Sequence, residues 1–305
     1  MPVTAPIFSI TRGSLHDGPG VRTVAYLKGC AMACLWCHNP EGRESGPQLM
    51  IDEAKCIGCG RCIQVCPAQH FLENGALVHR RSGCAGCGRC ARACPSGALT
   101  LCGEERTPED VVRELEKDRL YYEASGGGVT FSGGECLLHP AFMEEALRRC
   151  GRAGLHTAVE TALYVPWSSV EAAIPHTALF LADCKLMDAA AHRRYTGVDN
   201  GLILENLRRL AAAHGNILVR VPLIPTVNDG AENLEATARY IHDIGGGVRG
   251  IELLRYNPMG EGKYRRLGER AVLYADGPQD DEAMEGACNL MNRVIGRENF
   301  VFYRQ

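Results

Sequence analysis

Short apolar runs separated by amphipathic stretches dominate the chain from Gly126 onward. The runs are Val129-Thr130-Phe131, Thr157-Ala158-Val159, Leu179-Phe180-Leu181, Leu218-Val219-Arg220-Val221 and Ile251-Glu252-Leu253-Leu254. Continuous apolar segments of this length predict strands buried on both faces, and the stretches between them predict helices. Leu204, Leu207 and Leu210 mark one helical face, and Leu234, Ala238 and Ile241 mark another. Thr107-Pro108-Glu109-Asp110 supplies an N-cap, a first-turn proline and early acids, so a helix is predicted from there toward Tyr122. With residues 21–27 as a first strand, the pattern amounts to about six strand-helix units, which predicts an α/β fold with a parallel sheet or partial barrel.

Residues 52–103 break this rhythm. They predict a separate module inserted after the first strand, leaving residues 1–51 and 104–305 to build the α/β body. A chain of 305 residues, 46% hydrophobic and with 35 glycines, is long enough for a large core plus such a module. Its 33 basic and 36 acidic residues give a net charge of -3 without a dense basic tract, so nucleic acid is not an expected partner. No apolar stretch approaches the roughly 18 residues needed to cross a bilayer, and no membrane span is expected.

Cysteine changes the picture most. The chain has 16, far more than an ordinary cytosolic enzyme needs. Disulfide-rich secreted scaffolds are usually short and follow a signal peptide, whereas residues 1–13 lack a basic start and an apolar run, so a cytoplasmic location is expected.

Three of the cysteines, Cys30-x3-Cys34-x2-Cys37, close the first strand. They can hold three irons of a 4Fe-4S cluster and leave the fourth without a protein ligand, open to a small molecule. A second group, Cys56-x2-Cys59-x2-Cys62-x3-Cys66-Pro67, is repeated as Cys84-x2-Cys87-x2-Cys90-x3-Cys94-Pro95. This is the bacterial ferredoxin run, twice, in which the last cysteine of each run ligates the other run's cluster. Cys56, Cys59, Cys62 and Cys94 are therefore assigned to one 4Fe-4S cluster, and Cys84, Cys87, Cys90 and Cys66 to a second. Zinc is the competing reading for paired cysteines, but it favours two separated pairs, not four thiols within eleven residues. The five remaining cysteines, Cys102, Cys136, Cys150, Cys184 and Cys288, match no cluster run and read as small apolar core residues.

In such α/β folds ligands sit at the carboxyl ends of the strands. The residues found there are Gly133-Gly134-Glu135, Glu160-Thr161, Asp183-Cys184-Lys185, Arg220 and Asn257. Acids for an ammonium or sulfonium group, with Lys185 or Arg220 for a carboxylate, suit a zwitterion carrying an extra cationic centre.

Several stretches together resemble the radical S-adenosylmethionine (SAM) superfamily and, within it, the activating enzymes of glycyl-radical enzymes. They are residues 17–23 (Asp-Gly-Pro-Gly-Val-Arg-Thr), Lys28-Gly29-Cys30, residues 34–41 (Cys-Leu-Trp-Cys-His-Asn-Pro-Glu), Ser132-Gly133-Gly134-Glu135 and Tyr195-Thr196-Gly197. The double-cluster insert is similar to that of the longer members, outside the short pyruvate formate-lyase type. The resemblance implies a partial (β/α)6 TIM-like barrel carrying a ferredoxin-like domain with two 4Fe-4S clusters, for three clusters in all. It also implies that Cys30, Cys34 and Cys37 hold the catalytic cluster, whose open iron chelates SAM. Trp36, Cys37 and His38 would lie beside the adenine, Gly134 and Glu135 would face the methionine amino group, and Lys185, Arg220 and Asn257 would serve the carboxylate and ribose. Asp183, with Cys184 beside it, would complete the contacts, and a monovalent cation is implied near Asp183, with Glu160 and Thr161 as neighbouring candidates. The chain departs from the family pattern at Cys136, where proline is usual, and at Glu160 and Leu163 in a stretch usually Asp-Thr-Ala-Gly.

The chemistry implied is reduction of the catalytic cluster by an external flavodoxin or ferredoxin, reductive cleavage of SAM, and hydrogen abstraction by the 5'-deoxyadenosyl radical from a glycine of a partner glycyl-radical enzyme. Two alternatives belong beside it: a radical SAM enzyme acting directly on a small molecule or peptide with auxiliary clusters, and a non-enzymatic ferredoxin-type electron carrier. The second leaves the three-cysteine site and most of the barrel without a purpose.

Overall fold

The computed structural model describes residues 2–74 and 76–304. Its main sheet contains β1 (Ala5–Ser14), β2 (Arg22–Leu27), β7 (Glu104–Arg106), β8 (Gly128–Gly133), β9 (Thr157–Thr161), β10 (Leu179–Asp183), β11 (Ile217–Pro222), β12 (Val248–Leu254) and β13 (Val301–Tyr303). From β2 through β8, β9, β10, β11 and β12 to β13, every pairing is parallel. β1 and then β7 extend the other edge in antiparallel fashion. All six expected strands are present. β1, β7 and β13 are additional, and they occupy the flanks of the sheet.

Side-chain parity explains what the two faces do. Val129, Phe131, Val159, Phe180, Ala182, Val219, Val221, Ile251 and Leu253 point to one face and join the main hydrophobic core. The helices that contribute to that core include α3 (Pro108–Leu115), α5 (Pro140–Arg152), α6 (Trp167–Ala173), α8 (Gly201–Ala213), α9 (Ala231–Ile244) and α11 (Asp281–Ile295). The opposite face carries Ala158, Leu179, Leu181 and Leu218 as a small apolar cluster. Farther along the same strands and the same parity lie Glu160, Asp183, Arg220 and Glu252.

The predicted helix from Thr107 is interrupted. Thr107 caps it as expected, its Oγ1 accepting from Asp110 N at 3.2 Å. After α3 the chain tightens into a 3₁₀ turn at Glu116–Asp118 before α4 (Arg119–Ser125). At that break Asp118 is turned inward, where it accepts from Thr23 Oγ1 at 2.7 Å and pairs with Arg12.

The insert is entered through a two-stranded neck, β3 (Gln48–Ile51) paired antiparallel with β6 (Leu99–Cys102). Beyond it, α1 (Arg61–Val65) and α2 (Arg89–Ala93) sit at matching places in the two cysteine runs, with the hairpin of β4 (His70–Glu73) and β5 (Ala76–His79) between them. The duplication extends to the backbone: Gly58 and Gly86 have φ of 67° and 62°, and the helix caps Gly60 and Gly88 both have 69°. These left-handed positions favour glycine, which accounts for the glycines at equivalent places in both runs. The remaining helices, α7 (Ala189–Thr196) and α10 (Glu261–Leu267), flank the strand ends. No helix among the described residues is long and apolar enough to cross a membrane.

Candidate active site

Leu27 ends β2, and Lys28-Gly29 carry the chain directly into Cys30. The loop that follows is fastened at both ends. Gly29 N and Cys30 N donate to Gly42 O and Arg43 O at 2.7 and 2.9 Å, while Ala33 N and Leu35 N donate to Thr196 O and Tyr195 O at 2.7 and 3.0 Å. Gly134 presses against it so closely that a Cβ there would fall 2.3 Å from both Gly29 O and Gly42 O. The result is a cleft of about 370 Å³, within the usual range for small-molecule sites, into which Cys30, Cys34 and Cys37 all open.

Burial dominates the electrostatics of these thiols, pushing Cys30 up to about 11 and Cys34 up to about 12, and raising Cys37 as well. Three thiols kept protonated by burial become good ligands only when a cationic centre compensates their thiolates, and iron does this. Iron held by Cys30, Cys34 and Cys37 would supply that compensation. Lys185 shares the cleft: burial works against its charge, but Asp183, Cys34 and Cys30 outweigh that and raise its pKa. Its Nζ lies 2.5 Å from Asp183 Oδ2.

Arg220 occupies the cleft floor, 4% exposed. Its Nε donates to Glu252 Oε2 at 3.1 Å, its Nη2 donates to His16 O at 2.7 Å, and its Nη1 pairs with Glu160 and lies 3.9 Å from Asp17. Burial opposes this charge too, and Glu160, Glu252 and Asp183 more than offset it. The acids expected at a cation site are thus met by cationic side chains, Asp183 by Lys185 and Glu160 by Arg220, while Thr161 Oγ1 donates to both oxygens of Glu135 at 2.9 Å.

Of the expected site residues, Trp36, Cys37, His38, Gly134, Asp183, Lys185 and Arg220 all line this one cleft. Trp36 is set by ring contacts with Tyr195 and Tyr274 at 6.2 and 6.1 Å. Glu135 is a correction. Its carboxylate turns away from the cleft, 2% exposed, to accept from Leu137 N at 3.2 Å and Ala162 N at 2.9 Å as well as from Thr161. It is the N-cap of a 3₁₀ turn, so the side chain serves backbone amides that would otherwise be buried without partners. Cys184 is a second correction. Strand alternation sends it to the face opposite Asp183 and Lys185, into the main core, with Sγ 3.8 Å from Met187 Sδ. Asn257 meets His38 through its backbone, its carbonyl oxygen 2.8 Å from His38 Nε2. Cys102, Cys136, Cys150 and Cys288 are buried as apolar residues are.

The cleft also contains residues to which the sequence reading gave no site role. Asp17, Tyr26, Arg43, Ser132 and Tyr256 contribute to its wall. Tyr26 was legible in the sequence, because it shares strand parity with Val24 and Arg22 on a strand that ends three residues before the first cysteine. Arg43 and Tyr256 lie outside strands and gave no such signal.

In the insert, Cys56, Cys59, Cys62 and Cys94 line a single small cavity together with His79. On the other side, burial raises Cys90, a backbone hydrogen bond at Ala91 opposes the rise, and Cys66 and Cys84 lie near enough to add to it.

Comparison with known proteins bears directly on this arrangement. A family model described as the radical SAM superfamily matches residues 82–241, just over half the chain, and one described as a 4Fe-4S dicluster domain matches residues 49–101. The (2S)-3-sulfopropanediol dehydratase activating enzyme of Klebsiella oxytoca is 43% identical over 86% of this chain and 85% of its own length. The chain belongs to the radical SAM superfamily, among its glycyl-radical enzyme activating enzymes. The choline trimethylamine-lyase activating enzyme of Oleidesulfovibrio alaskensis is 42% identical over 87% of each chain. The indoleacetate decarboxylase activating enzyme of Tractidigestivibacter scatoligenes is 36% identical over 94% of each. A radical SAM methyltransferase from Sphaerobacter thermophilus shares the fold, with a TM-score of 0.56 at 15% identity over 100% of this chain and 78% of that one. The superfamily match starts inside the insert and so leaves out Cys30, Cys34 and Cys37, which the insert separates from the rest of the α/β body. As an activating enzyme the protein reductively cleaves SAM and takes a hydrogen atom from a glycine of a partner glycyl-radical enzyme.

Proposed function

We propose that this activase works with three 4Fe-4S clusters, one held by Cys30, Cys34 and Cys37 in the cleft and two held by the insert in the crossed pattern of its cysteine runs. The observation that carries the reading is the convergence of those three thiols with Lys185 and Arg220 at successive strand ends. When bound, the cluster supplies the electron that splits SAM and leaves a carbon-centred radical. The chain's own residues bind, orient and exclude. Lys185 and Arg220 offer the charge for a carboxylate, and Gly133 and Gly134 let backbone approach the ligand closely. Trp36 and His38 provide an apolar wall and a ring nitrogen fixed against Asn257 O for the adenine. Asp183 and Glu160 are the acids that a monovalent cation would use, in competition with Lys185 and Arg220.

The crossed assignment is supported by the shared cavity of Cys56, Cys59, Cys62 and Cys94 and by the closeness of both Cys66 and Cys84 to Cys90. A flavodoxin or ferredoxin is the proposed reductant, in the cytoplasm. The partner is proposed to belong to the class activated by the relatives named above, whose targets are a (2S)-3-sulfopropanediol dehydratase, a choline trimethylamine-lyase and an indoleacetate decarboxylase. A large protein with a glycine loop near its C-terminus, encoded next to this chain, is the partner to test.

The decisive experiment compares the reconstituted enzyme with Cys30→Ala under anaerobic reduction. The wild type should form 5'-deoxyadenosine and raise a glycyl doublet on the partner in spin resonance, and the variant should do neither while losing about a third of its iron. A variant that still makes 5'-deoxyadenosine would sink the assignment of the cleft.

A further inference from the structure

Residues 257–269 wrap the segment that follows the catalytic cysteines. Lys263, on α10, points its ammonium at three acceptors in that segment: His38 O at 3.0 Å, Asn39 Oδ1 at 2.7 Å and Glu41 Oε1 at 2.9 Å. Just before the helix, a Cβ on Gly260 would lie 3.5 Å from Cys37 O, and just after it Glu269 pairs with Arg43. Tyr264 stands under the Arg43 guanidinium, 5.5 Å from ring centre to carbon. The cleft segment from Cys37 to Arg43 is therefore gripped along its length by one short helix and its flanks.

The other side of the same helix is fastened to the insert. Arg81, between the two cysteine runs, donates from Nη2 to Arg266 O at 2.8 Å and from Nη1 to Leu49 O in the neck at 2.7 Å. Arg266 reaches Thr100 Oγ1 at 3.3 Å, and Leu267 packs with Met50 and Cys102 of the neck. Gly268 has a φ of 74°, and a Cβ there would meet Arg81 Nε at 2.4 Å, so the turn closes onto the arginine only with glycine.

We propose that α10 is a strut coupling the inserted domain to the SAM cleft, with Lys263 and Arg81 as positioning residues at its two ends. Neither side chain lines the cleft. A buried or half-buried cation with several oxygen acceptors fixes their geometry strongly, because leaving any of them unpaired is costly. Through the strut, how the insert sits on the α/β body sets where His38 and the adjoining Trp36 stand, which gives the insert a part in ligand binding separate from any electron transfer. The ligand half of this inference rests on the reading of the cleft as the SAM site. The mechanical half does not.

The test uses the full-length, cluster-loaded protein with Arg81→Ala, Lys263→Ala, Lys263→Arg and the Arg81→Ala/Lys263→Ala double variant. Amide hydrogen exchange at residues 37–43 should rise in Arg81→Ala, although Arg81 touches none of them, and SAM should bind about tenfold more weakly, within the usual span of coupling between sites. Lys263→Ala should do the same, Lys263→Arg should recover most of it, and the double variant should be little worse than either single one, since both break one connection. Partner activation at saturating SAM should change less than SAM affinity in each case. Unchanged exchange at residues 37–43 in Arg81→Ala, or strict additivity in the double variant, would overturn the strut. Failure of the wild type to bind SAM would instead overturn the reading of the cleft, and the exchange result would stand apart from it.

Discussion

Arg220 and Glu252 are direct register partners on the parallel strands β11 and β12, and the guanidinium Nε donates to the carboxylate at 3.1 Å beneath the cleft. Both are almost fully buried, and Glu252 also takes Arg304 Nε at 2.7 Å. Removing one partner of such a pair leaves an uncompensated buried charge, which typically costs about 3–5 kcal/mol, whereas replacing both with apolar groups is often nearly neutral. Glu252→Ala should therefore lower the melting temperature markedly, and Arg220→Met/Glu252→Met should recover much of the loss. The recovery should not extend to function, since the double variant lacks Arg220, one of the two cleft cations. Calorimetric melts together with SAM titrations separate the two effects.

Burial of Glu135 provides a pH signature. Its carboxyl is raised from 4.5 to about 7, mainly by desolvation, with hydrogen bonds from Thr161, Leu137 and Ala162 opposing. Below about pH 4.5 both folded and unfolded states carry the proton, and the group contributes no pH dependence. Between about 4.5 and 7 the unfolded chain has lost the proton while the folded chain retains it, so stability falls as pH rises, by on the order of 3 kcal/mol in total. Above about 7 the contribution is level again. Melting curves from pH 5 to 8 should thus show a falling component that is missing in Glu135→Gln. That variant should also be less stable throughout, because its amide nitrogen faces donors. Parallel curves for the two proteins would contradict the assignment.

Much of this fold was readable because its strands are buried on both faces: Phe131, Val159, Phe180, Val219 and Ile251 stand out as apolar runs without any reference to partners. The three cysteine groups stood out because iron-sulfur ligation is written in local spacing. β1 was missed because its apolar run, Ala5-Pro6-Ile7-Phe8, contains a proline, which argues against a strand, and because burial fades from there toward the exposed residues near Gly13. At the break between α3 and α4, Asp118 meets Arg12 and Thr23, both far from it in sequence. Glu135 was misdirected for a related reason: a glutamate after two glycines at a strand end looks available to a ligand, and only the fold reveals that Thr161 and two amides claim it first. Lys263 lies 224 positions from Asn39, and no local pattern connects them.

Gly134 is held by contact, not by turn geometry. A methyl group there would need to displace the carbonyls of both Gly29 and Gly42, which flank the catalytic cysteine loop. Backbone so placed yields little, and forced overpacking generally costs about 1–3 kcal/mol. Gly134→Ala should fold, because the main core is untouched, but should load the cleft cluster poorly while the insert's clusters remain. Iron analysis combined with the spectrum of the SAM-bound enzyme would reveal this, and full loading with normal SAM binding would argue against it.

Iron removal should act on the two parts of the chain unequally. The insert's own buried apolar cluster is Leu49, Ile51, Cys62, Cys90 and Leu99, so two of its five members are expected sulfur ligands. α1 and α2 have five residues each, far below the length at which a helix holds by itself, and β4 and β5 form only a two-stranded hairpin. Little besides ligation is left to keep this segment compact, as in other small metal-bound domains where binding energy is folding energy. The main α/β body has an extensive core that contains no residue of the two ferredoxin-type runs, and it should survive. Chelation of the reduced enzyme followed by brief proteolysis should therefore cut within residues 52–103 and leave the part beyond residue 104 resistant, with only a modest loss of helical signal. Should the insert stay resistant after its iron is gone, its packing onto α10 and the neck would have to hold it unaided, and the contacts of Arg81 and Leu267 would carry more of its stability than their number suggests.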